Sequence, residues 1–281
     1  METITQWLTS LNDMLWTYVI IGMLLGCAGW FTFKTRFVQF RMLKEMIRLL
    51  GDSTNKSSGK EEHISSFQAF MVSLASRVGT GNLAGVATAI TIGGPGAVFW
   101  MWIIALLGSC SAFVESTLAQ LYKVKGPSSY IGGPAYYMKK GLKQPWMGIT
   151  FAVLIIFTFA FSFNTVQSNT ICAAFEQAFQ VDNVTMGIIL TVFTLMIIFG
   201  GIQRIAKVSS IIVPVMALGY ILLAFVIVGM NITHIPAIFK LIINSAFGWE
   251  QAFGGGIGVA LMQGIKRGLF SNEAGMGSAP N

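Results

Sequence analysis

The chain has 281 residues, of which 54% are hydrophobic and only 10% charged. Soluble domains carry about 25% charged residues, so this composition excludes an ordinary soluble protein and predicts a protein of the lipid bilayer. The formal net charge is +7, which in a soluble protein would favour a nucleic-acid partner. Here the basic residues lie between apolar stretches, and we expect them to set membrane topology, with no nucleic-acid partner.

Apolar stretches long enough to cross a bilayer, which takes about 20 residues, recur along the sequence. In chain order they are 14–33, 67–92, 97–121, 147–175, 184–201, 208–230 and the glycine-rich 251–269. The first stretch follows acidic Glu2 and Asp13 instead of a basic segment, so we interpret it as a retained helix and not as a signal peptide. The sequence predicts an all-α polytopic membrane protein.

The distribution of basic residues predicts the orientation of the chain. Residues 1–33 contain no lysine or arginine, whereas the loop 34–66 contains seven, against four acidic residues. The positive-inside rule places that loop in the cytoplasm and the N-terminus outside. Later loops keep the alternation, and we therefore expect a multi-pass protein of the plasma (inner) membrane.

The second apolar stretch contains polar residues and glycines where a simple anchor would have none. Arg77, Gly79, Gly81 and Asn82 stand in its middle, where they weaken the helix. A gap in the helical hydrogen bonds is tolerated at membrane depth only where it is buried in protein or lines a watery cavity. The alternative interpretation is a kink that packs closely through small residues.

The end of the chain repeats this pattern: an arginine, four residues, an asparagine, one residue and Ala-Gly. The matched positions are Arg77, Asn82, Ala84 and Gly85 in the first copy and Arg267, Asn272, Ala274 and Gly275 in the second. The predicted topology runs the two copies in opposite directions, as in an inverted repeat. In transporters built this way, half-helix N-termini face an anionic group and freed carbonyls bind a cation. Asn82 and Asn272 are the expected N-caps of the second half-helices.

Several polar side chains in or beside these interruptions are candidate ligands for a small amino acid. Thr80, Gly81 and Asn82 come first, because glycine permits close approach and the other two can bind a carboxylate. Ser271, Asn272 and Gly275 follow, and sodium would bind backbone carbonyls near Gly79 to Asn82. Asn164, Gln167 and Ser168 share one face of the fourth stretch, where the alternative role is hydrogen bonding between helices. Ala84 and Gly219 are assigned to packing faces.

Charged residues inside apolar stretches are candidates for cation binding or gating. Glu115 needs a partner or a proton, and we favour a structural brace against a broken helix over a coupling role. Glu273 would either neutralise a cation or stabilise the N-terminus of its own half-helix. Arg77 and Arg267 are candidate gate charges, with snorkelling to the membrane surface as the alternative.

Four segments resemble a known family, the alanine or glycine:cation symporters, also called sodium:alanine symporters. They are Gly79-Thr80-Gly81-Asn82, the run from Gly93-Gly94-Pro95-Gly96 to Gly108, Gly132-Gly133-Pro134, and Ser271-Asn272-Glu273-Ala274-Gly275. The resemblance implies a leucine-transporter-like fold with one extra N-terminal helix ahead of a five-plus-five inverted repeat. It also implies that Gln167 contacts the substrate.

On that basis residues 1–33 form the extra helix, 34–66 the basic loop, 67–230 the first repeat and 231–281 the start of the second. Family members are longer, so the second repeat is incomplete in this sequence. The implied function is sodium-coupled entry of a small neutral amino acid, with alanine first and glycine or serine as alternatives. Sodium is the coupling ion, and no other cofactor is expected.

Proton coupling and a channel are the functional alternatives, although a channel would more naturally repeat a selectivity segment in symmetric subunits. An enzyme is not predicted, since the sequence lacks a serine elbow, paired aspartates and an HExxH zinc motif.

Overall fold

A computed structural model describes residues 2–51, 65–126, 130–248, 256–278 and 280, and this part of the chain is mostly helical. Its α-helices are α1 (Glu2–Met14), α2 (Ile21–Lys34), α3 (Val38–Arg41), α4 (Leu43–Leu50), α5 (Ser66–Arg77), α6 (Thr80–Gly93), α7 (Gly96–Leu121), α8 (Pro134–Lys140), α9 (Pro145–Phe157), α10 (Asn164–Phe179), α11 (Asn183–Ile198), α12 (Gly201–Met230), α13 (Ile235–Phe247) and α14 (Gly256–Asn272). Two π-helical segments, Leu15–Ile20 and Thr158–Phe163, and a 3-10 turn, Ile232–His234, connect some of them. Two short strands, Val124–Lys125 and Tyr130–Ile131, pair antiparallel.

Among the described residues, four helical segments are long and apolar enough to cross a membrane. They are Thr3–Lys34, Gly96–Leu121, Pro145–Phe179 and Gly201–Met230. Each overlaps a predicted stretch, although the first begins well before residue 14. Asn183–Ile198 and Ile232–Phe247 are shorter apolar helices; the second was not predicted. The protein is a multi-pass helical membrane protein.

The chain divides into two compact units. The first consists of Met1–Leu43, Gly81–Thr117 and Met230–Ala279, and the second of Lys44–Thr80, Leu118–Gly229 and Pro280–Asn281.

In the first unit, α14 packs against α7 through two glycines one turn apart. A Cβ atom at Gly264 would lie 2.5 Å from the Cβ of Trp100, and one at Gly268 would lie 3.2 Å from Cγ2 of Ile104. Positions four apart share a helix face, so the backbones approach closely along one line. Next to this contact, Ile21, Ile104, Ile265 and Leu269 form the buried apolar cluster of the unit.

The start of α7 also contacts α13. A Cβ at Gly96 would lie 2.5 Å from the backbone nitrogen of Ala246. The indole Nε1 of Trp100 donates to the carbonyl of Ala246 at 3.2 Å. Gly96, the last residue of the Gly-Gly-Pro-Gly segment and the first of α7, is therefore a position that only glycine can fill.

The second unit contains α8 to α12, and glycines again allow a close contact between two helices. Gly133 has φ 107°, and Pro134 then starts α8. A Cβ at Gly148 of α9 would lie 2.6 Å from the carbonyl oxygen of Ala135 in α8. Asp182 caps α11 by accepting hydrogen bonds from the backbone of the first helical turn.

Two packing assignments made from the sequence are wrong for the described residues. Ala84 is exposed, and a Cβ at Gly219 would meet no atom within 4 Å. Lys56 and Lys60, which contributed to the predicted orientation, lie outside the described residues.

Candidate functional site

The predicted stretch 67–92 is two helices with a break between them. Ser65 and Gln68 form a capping box at the start of α5, which ends at Arg77. Val78 is extended, with φ −93° and ψ 97°, and α6 begins at Thr80. Such a break leaves C-terminal carbonyls of α5 and N-terminal N–H groups of α6 without intrahelical partners.

Gln167 of α10 fills the break. Its Oε1 accepts a hydrogen bond from the backbone N–H of Thr80 at 3.3 Å. A Cβ at Gly79 would collide with the Gln167 Nε2 and lie 3.2 Å from its Cδ. The amide therefore needs glycine at position 79, and it replaces one of the helical hydrogen bonds that the break removes.

Asn82 does not cap α6, contrary to the prediction. The helix begins two residues earlier, at Thr80, so Asn82 lies in its first turn and is half-buried. The side chain that satisfies the N–H of Thr80 comes from Gln167, 87 positions along the chain. This distant partner makes a local cap at Asn82 unnecessary.

Gly81 and Ser271 come together in the first unit. Gly81 is buried, and a Cβ there would lie 3.1 Å from Cδ1 of Phe270 and 3.4 Å from the Cα of Ser271. The start of α6 thus packs on the last turn of α14, and residues predicted from the two copies of the motif are neighbours.

Asn272 is the last residue of α14 and does not cap a following helix. Its Oδ1 accepts the N–H of Ala274 at 3.0 Å, a bond of the N-cap type. No helix is found in residues 273–278, however, because Glu273, Gly275 and Gly277 have φ of 51°, 86° and 71°. The two copies of the motif differ here, since the first breaks before its asparagine and the second after it.

Glu115 of α7 holds this left-handed turn. Its carboxylate accepts the backbone N–H of Gly275 at 3.3 Å and that of Gly277 at 3.1 Å. Glu273, which is 5% exposed, accepts a hydrogen bond from the hydroxyl of Ser278 at 2.7 Å. A carboxylate on backbone N–H groups has the geometry of a structural brace.

The remaining polar candidates do not all face the break. Asn164 is exposed and donates to the carbonyl of Ala160 in the preceding turn, and Ser168 donates to that of Thr165. The three side chains that were predicted to act together on one helix face therefore have different partners. Gln167 reaches the break, whereas Asn164 and Ser168 form hydrogen bonds within their own helix.

The two arginines of the motif occupy different positions in their helices. Arg77 ends α5, and its Nε is buried without a hydrogen-bond partner among the described residues. Arg267 lies inside α14, next to Lys266, which forms a 2.9 Å ion pair with Asp13. Within the described ranges, no three His, Cys, Asp or Glu side chains are grouped as a metal site would require.

Sequence reasoning missed Gly264 and Gly268, which position α14 and with it Ser271 and Asn272. The signal was present, because Gly-x-x-x-Gly in an apolar helix marks a close helix contact. The contact between Gln167 and Gly79 had no local signal.

The interrupted helix, the glycine-mediated contacts and the long apolar helices define a polytopic membrane protein. The chain belongs to the sodium:alanine symporter family, whose model matches residues 1–281. Members of this family are transporters and not enzymes.

The chain is similar to several bacterial and archaeal proteins. It is 56% identical over 270 residues to the probable sodium/glutamine symporter GlnT of Bacillus subtilis, covering 96% of this chain and 56% of that protein. It is 53% identical over 270 residues to the amino-acid carrier protein AlsT of the same organism, covering 96% and 57%. It is 42% identical over 276 residues to the sodium/alanine symporter AgcS of Methanococcus maripaludis, covering 96% and 61%. The chain spans about three fifths of the length of these curated relatives.

Proposed function

We propose that the protein is a secondary active transporter that couples sodium entry to the uptake of a small neutral amino acid, with alanine as the first candidate. The observation that carries the proposal is the helix break in which Gln167 bonds to the N–H of Thr80. A broken helix with polar side chains is the arrangement that transporters use to bind a zwitterion and a cation at membrane depth. Family membership gives the same class of function.

The N-terminus of α6 suits the substrate carboxylate. Its first N–H groups lack intrahelical partners, and the helix dipole places partial positive charge at this end. Thr80 supplies a hydroxyl, Asn82 an amide, and Gly81 leaves the backbone accessible. In this proposal Gln167 contacts the substrate and fixes the geometry of the break at the same time.

The other end of the break suits sodium. Apart from Leu74, whose carbonyl accepts the N–H of Val78, the last carbonyls of α5 lack intrahelical donors and carry partial negative charge. Neutral oxygen ligands of this kind suit a hard monovalent cation, and backbone near Gly79 would complete the set.

The remaining assignments follow from the repeated motif and the family resemblance. Ser271, Asn272 and Gly275 would contribute to the substrate site from the second broken helix, and Asn164 from the fourth stretch. Glu115, Glu273, Arg77 and Arg267 would act in cation binding or gating. We also propose the leucine-transporter-like inverted repeat, with residues 67–230 as its first half and the N-terminus outside.

Glutamine is a second candidate substrate, because the relative that is 56% identical is named for it. Glutamine shares the carboxylate and ammonium of alanine and adds an amide. Both substrates therefore fit the same helix ends, and the side-chain pocket decides between them.

The test is uptake of radiolabelled alanine by the full-length protein in proteoliposomes, with a sodium gradient, with a proton gradient and with neither. Accumulation that requires sodium and saturates supports the proposal. Accumulation driven by protons alone refutes sodium coupling, and non-saturable flux indicates a channel. Competition by unlabelled glutamine or alanine identifies the preferred substrate.

Site variants separate the proposed residues from the rest of the fold. Asn82→Leu and Gln167→Leu each remove an amide that we assign to the substrate, and a hydrogen bond to a charged group contributes about 1.5–3 kcal/mol. Alanine affinity should fall about ten- to hundredfold. Gln177→Leu is the matched control, since Gln177 is exposed on the same helix as Gln167. Affinity within twofold of the parent in both site variants would refute the placement of the site.

A further inference from the structure

A cavity of about 380 Å³ lies where the first long apolar helix ends. It is lined by Lys34, Thr35, Arg36, Val38, Arg41, Met42 and Phe113, all in the first unit. Three of the seven lining residues are cationic and none is acidic. Volumes of this size suit small ligands, and the charge selects an anion.

The backbone that carries the cations is held in an unusual conformation. Arg36 and Phe37 are consecutive non-glycine residues in the left-handed region, with φ of 53° and 55°. This conformation is unfavourable for L-residues and persists only where the surrounding structure enforces it. Hydrogen bonds enforce it here: the N–H of Phe37 donates to the carbonyl of Thr32 at 2.9 Å, and that of Arg36 to Phe33 at 3.1 Å.

Further contacts tie the turn to its neighbours. The hydroxyl of Thr35 donates to the carbonyl of Phe31 at 2.8 Å and lies 3.2 Å from the Sγ of Cys110 in α7. Arg41 donates to the carbonyl of Thr35 at 3.3 Å, and Val38 is only 2% exposed. The cationic side chains therefore project from a fixed turn, which lowers the entropy lost when they bind a ligand.

The cations of the cavity have no carboxylate partner among the described residues. Lys34 lies 4.9 Å from the ring centroid of Trp30, and this cation–π contact leaves its charge unneutralised. The next acidic residue in the sequence, Glu45, is bonded to Arg48, which holds the pKa of that carboxyl below its usual value. Within the described part of the chain, the cavity thus offers positive charge that no carboxylate neutralises.

The surroundings of the cavity indicate which anion it binds. Lys34 ends the apolar segment Thr3–Lys34, which is long enough to span a bilayer, and it is the first basic residue of the chain, so we place the cavity at the boundary between the bilayer and water. Trp30 and Phe33 beside it are 61% and 75% exposed. Aromatic rings and basic residues at this depth match the level of lipid headgroups. Apolar Val38, Met42 and Phe113 complete the wall.

We infer that this cavity is a binding site for the phosphate headgroup of an anionic phospholipid, with Arg36 and Arg41 as its ligands and Lys34 at its rim. The site is separate from the proposed substrate site. Guanidinium groups bind phosphate through paired hydrogen bonds, and the aromatic rim contacts the lipid glycerol and upper chains.

The test measures binding of phosphatidylglycerol and phosphatidylcholine to the full-length protein in a mild detergent by native mass spectrometry. Phosphatidylglycerol should bind preferentially, and the double variant R36Q/R41Q should bind it about 25-fold more weakly, since each basic residue near the surface contributes about fivefold. R36K/R41K keeps both charges but loses the paired guanidinium hydrogen bonds, so its loss of affinity should be smaller than that of R36Q/R41Q. K139Q/K140Q removes the same charge from α8 and should bind as the parent does.

Some outcomes would overturn the inference. The first is equal binding of phosphatidylglycerol and phosphatidylcholine, and the second is an equal loss of affinity in R36Q/R41Q and K139Q/K140Q. The third is displacement of the lipid by inorganic phosphate at the same concentration as the lipid, which would make this a site for soluble anions. Thermal unfolding of each variant in lipid-free detergent shows whether it is folded. If R36Q/R41Q does not fold, the single variant Arg41→Gln, with an expected fivefold loss, replaces it, and parental affinity in that variant overturns the inference.

Discussion

Replacing Gly79 by alanine tests the link between the helix break and the substrate site most directly. The added methyl group would collide with the Gln167 Nε2 and lie 3.2 Å from its Cδ. The backbone at position 79 is not in the left-handed region, so alanine is not strained there by its own conformation. The flexible Gln167 side chain must move instead, and its bond to the N–H of Thr80 is lost.

The expected magnitude follows from these contacts. Loss of one neutral hydrogen bond destabilises a protein by about 0.5–1.5 kcal/mol. Replacement of glycine by alanine at an unstrained position stabilises it by about 0.4–1 kcal/mol, because the unfolded chain has fewer conformations. The two effects nearly cancel, so stability should change by less than about 1 kcal/mol. Alanine affinity should nevertheless fall by about tenfold, because Gln167 is displaced from the position proposed for substrate binding.

A double-mutant cycle isolates this effect. Gly79→Ala, Gln167→Ala and the double variant are prepared in the full-length protein, and alanine binding and thermal unfolding are measured for each. The three atoms nearest the added methyl group all belong to Gln167, so once Gln167 is truncated Gly79→Ala should have almost no further effect on affinity. Gly219→Ala is the control, since its methyl group meets nothing within 4 Å. Additive losses in the double variant, or parental affinity in Gly79→Ala, would refute the coupling of residues 79 and 167.

Three further predictions concern other parts of the structure. Glu115→Gln weakens the charged acceptor for two backbone N–H groups, and we expect the unfolding free energy to fall by about 1–3 kcal/mol in thermal or denaturant unfolding; an unchanged value would contradict the bracing role. Gly264→Ala forces apart α7 and α14 and should cost about 1–3 kcal/mol, whereas Gly258→Ala, whose methyl group meets no neighbour, should be neutral; equal unfolding midpoints would contradict the close packing. In intact cells, a cysteine at Thr5 should react with an impermeant reagent added outside, and one at Lys139 should not; the reverse pattern would invert the proposed topology.

The apolar stretches and the position of the first break could be predicted from the sequence because their causes are local. A run of about 20 apolar residues suits a bilayer whatever its neighbours, and Gly79 and Gly81 beside polar side chains weaken a helix by themselves. The approximate bounds of α7, α11 and α12 follow from the same reasoning. The helix α13 was missed because its 13 residues fall short of a spanning length.

The details of the site depend on distant contacts that a single sequence does not show. Asn82 was expected to cap α6, but the N–H of Thr80 is satisfied from another helix. Asn164, Gln167 and Ser168 were expected to act together on one face, yet only Gln167 meets the break. Asn272 was expected to start a helix, but the backbone turns left-handed at the next residue.

The π-helical segment Thr158–Phe163 determines which side chain of the fourth span meets Gly79. It lies within the continuous helix Pro145–Phe179, and a π-turn contains one residue more than an α-helical turn. Deleting a single residue from it would restore ordinary winding and rotate all of α10 by about 100° about its axis relative to α9. The deletion of one residue in this segment would thus bring a different side chain of α10 to Gly79. Every other helix of the chain would keep its length. For a relative that lacks this extra residue, an alignment would need a gap within residues 158–163 before position 167 could be compared.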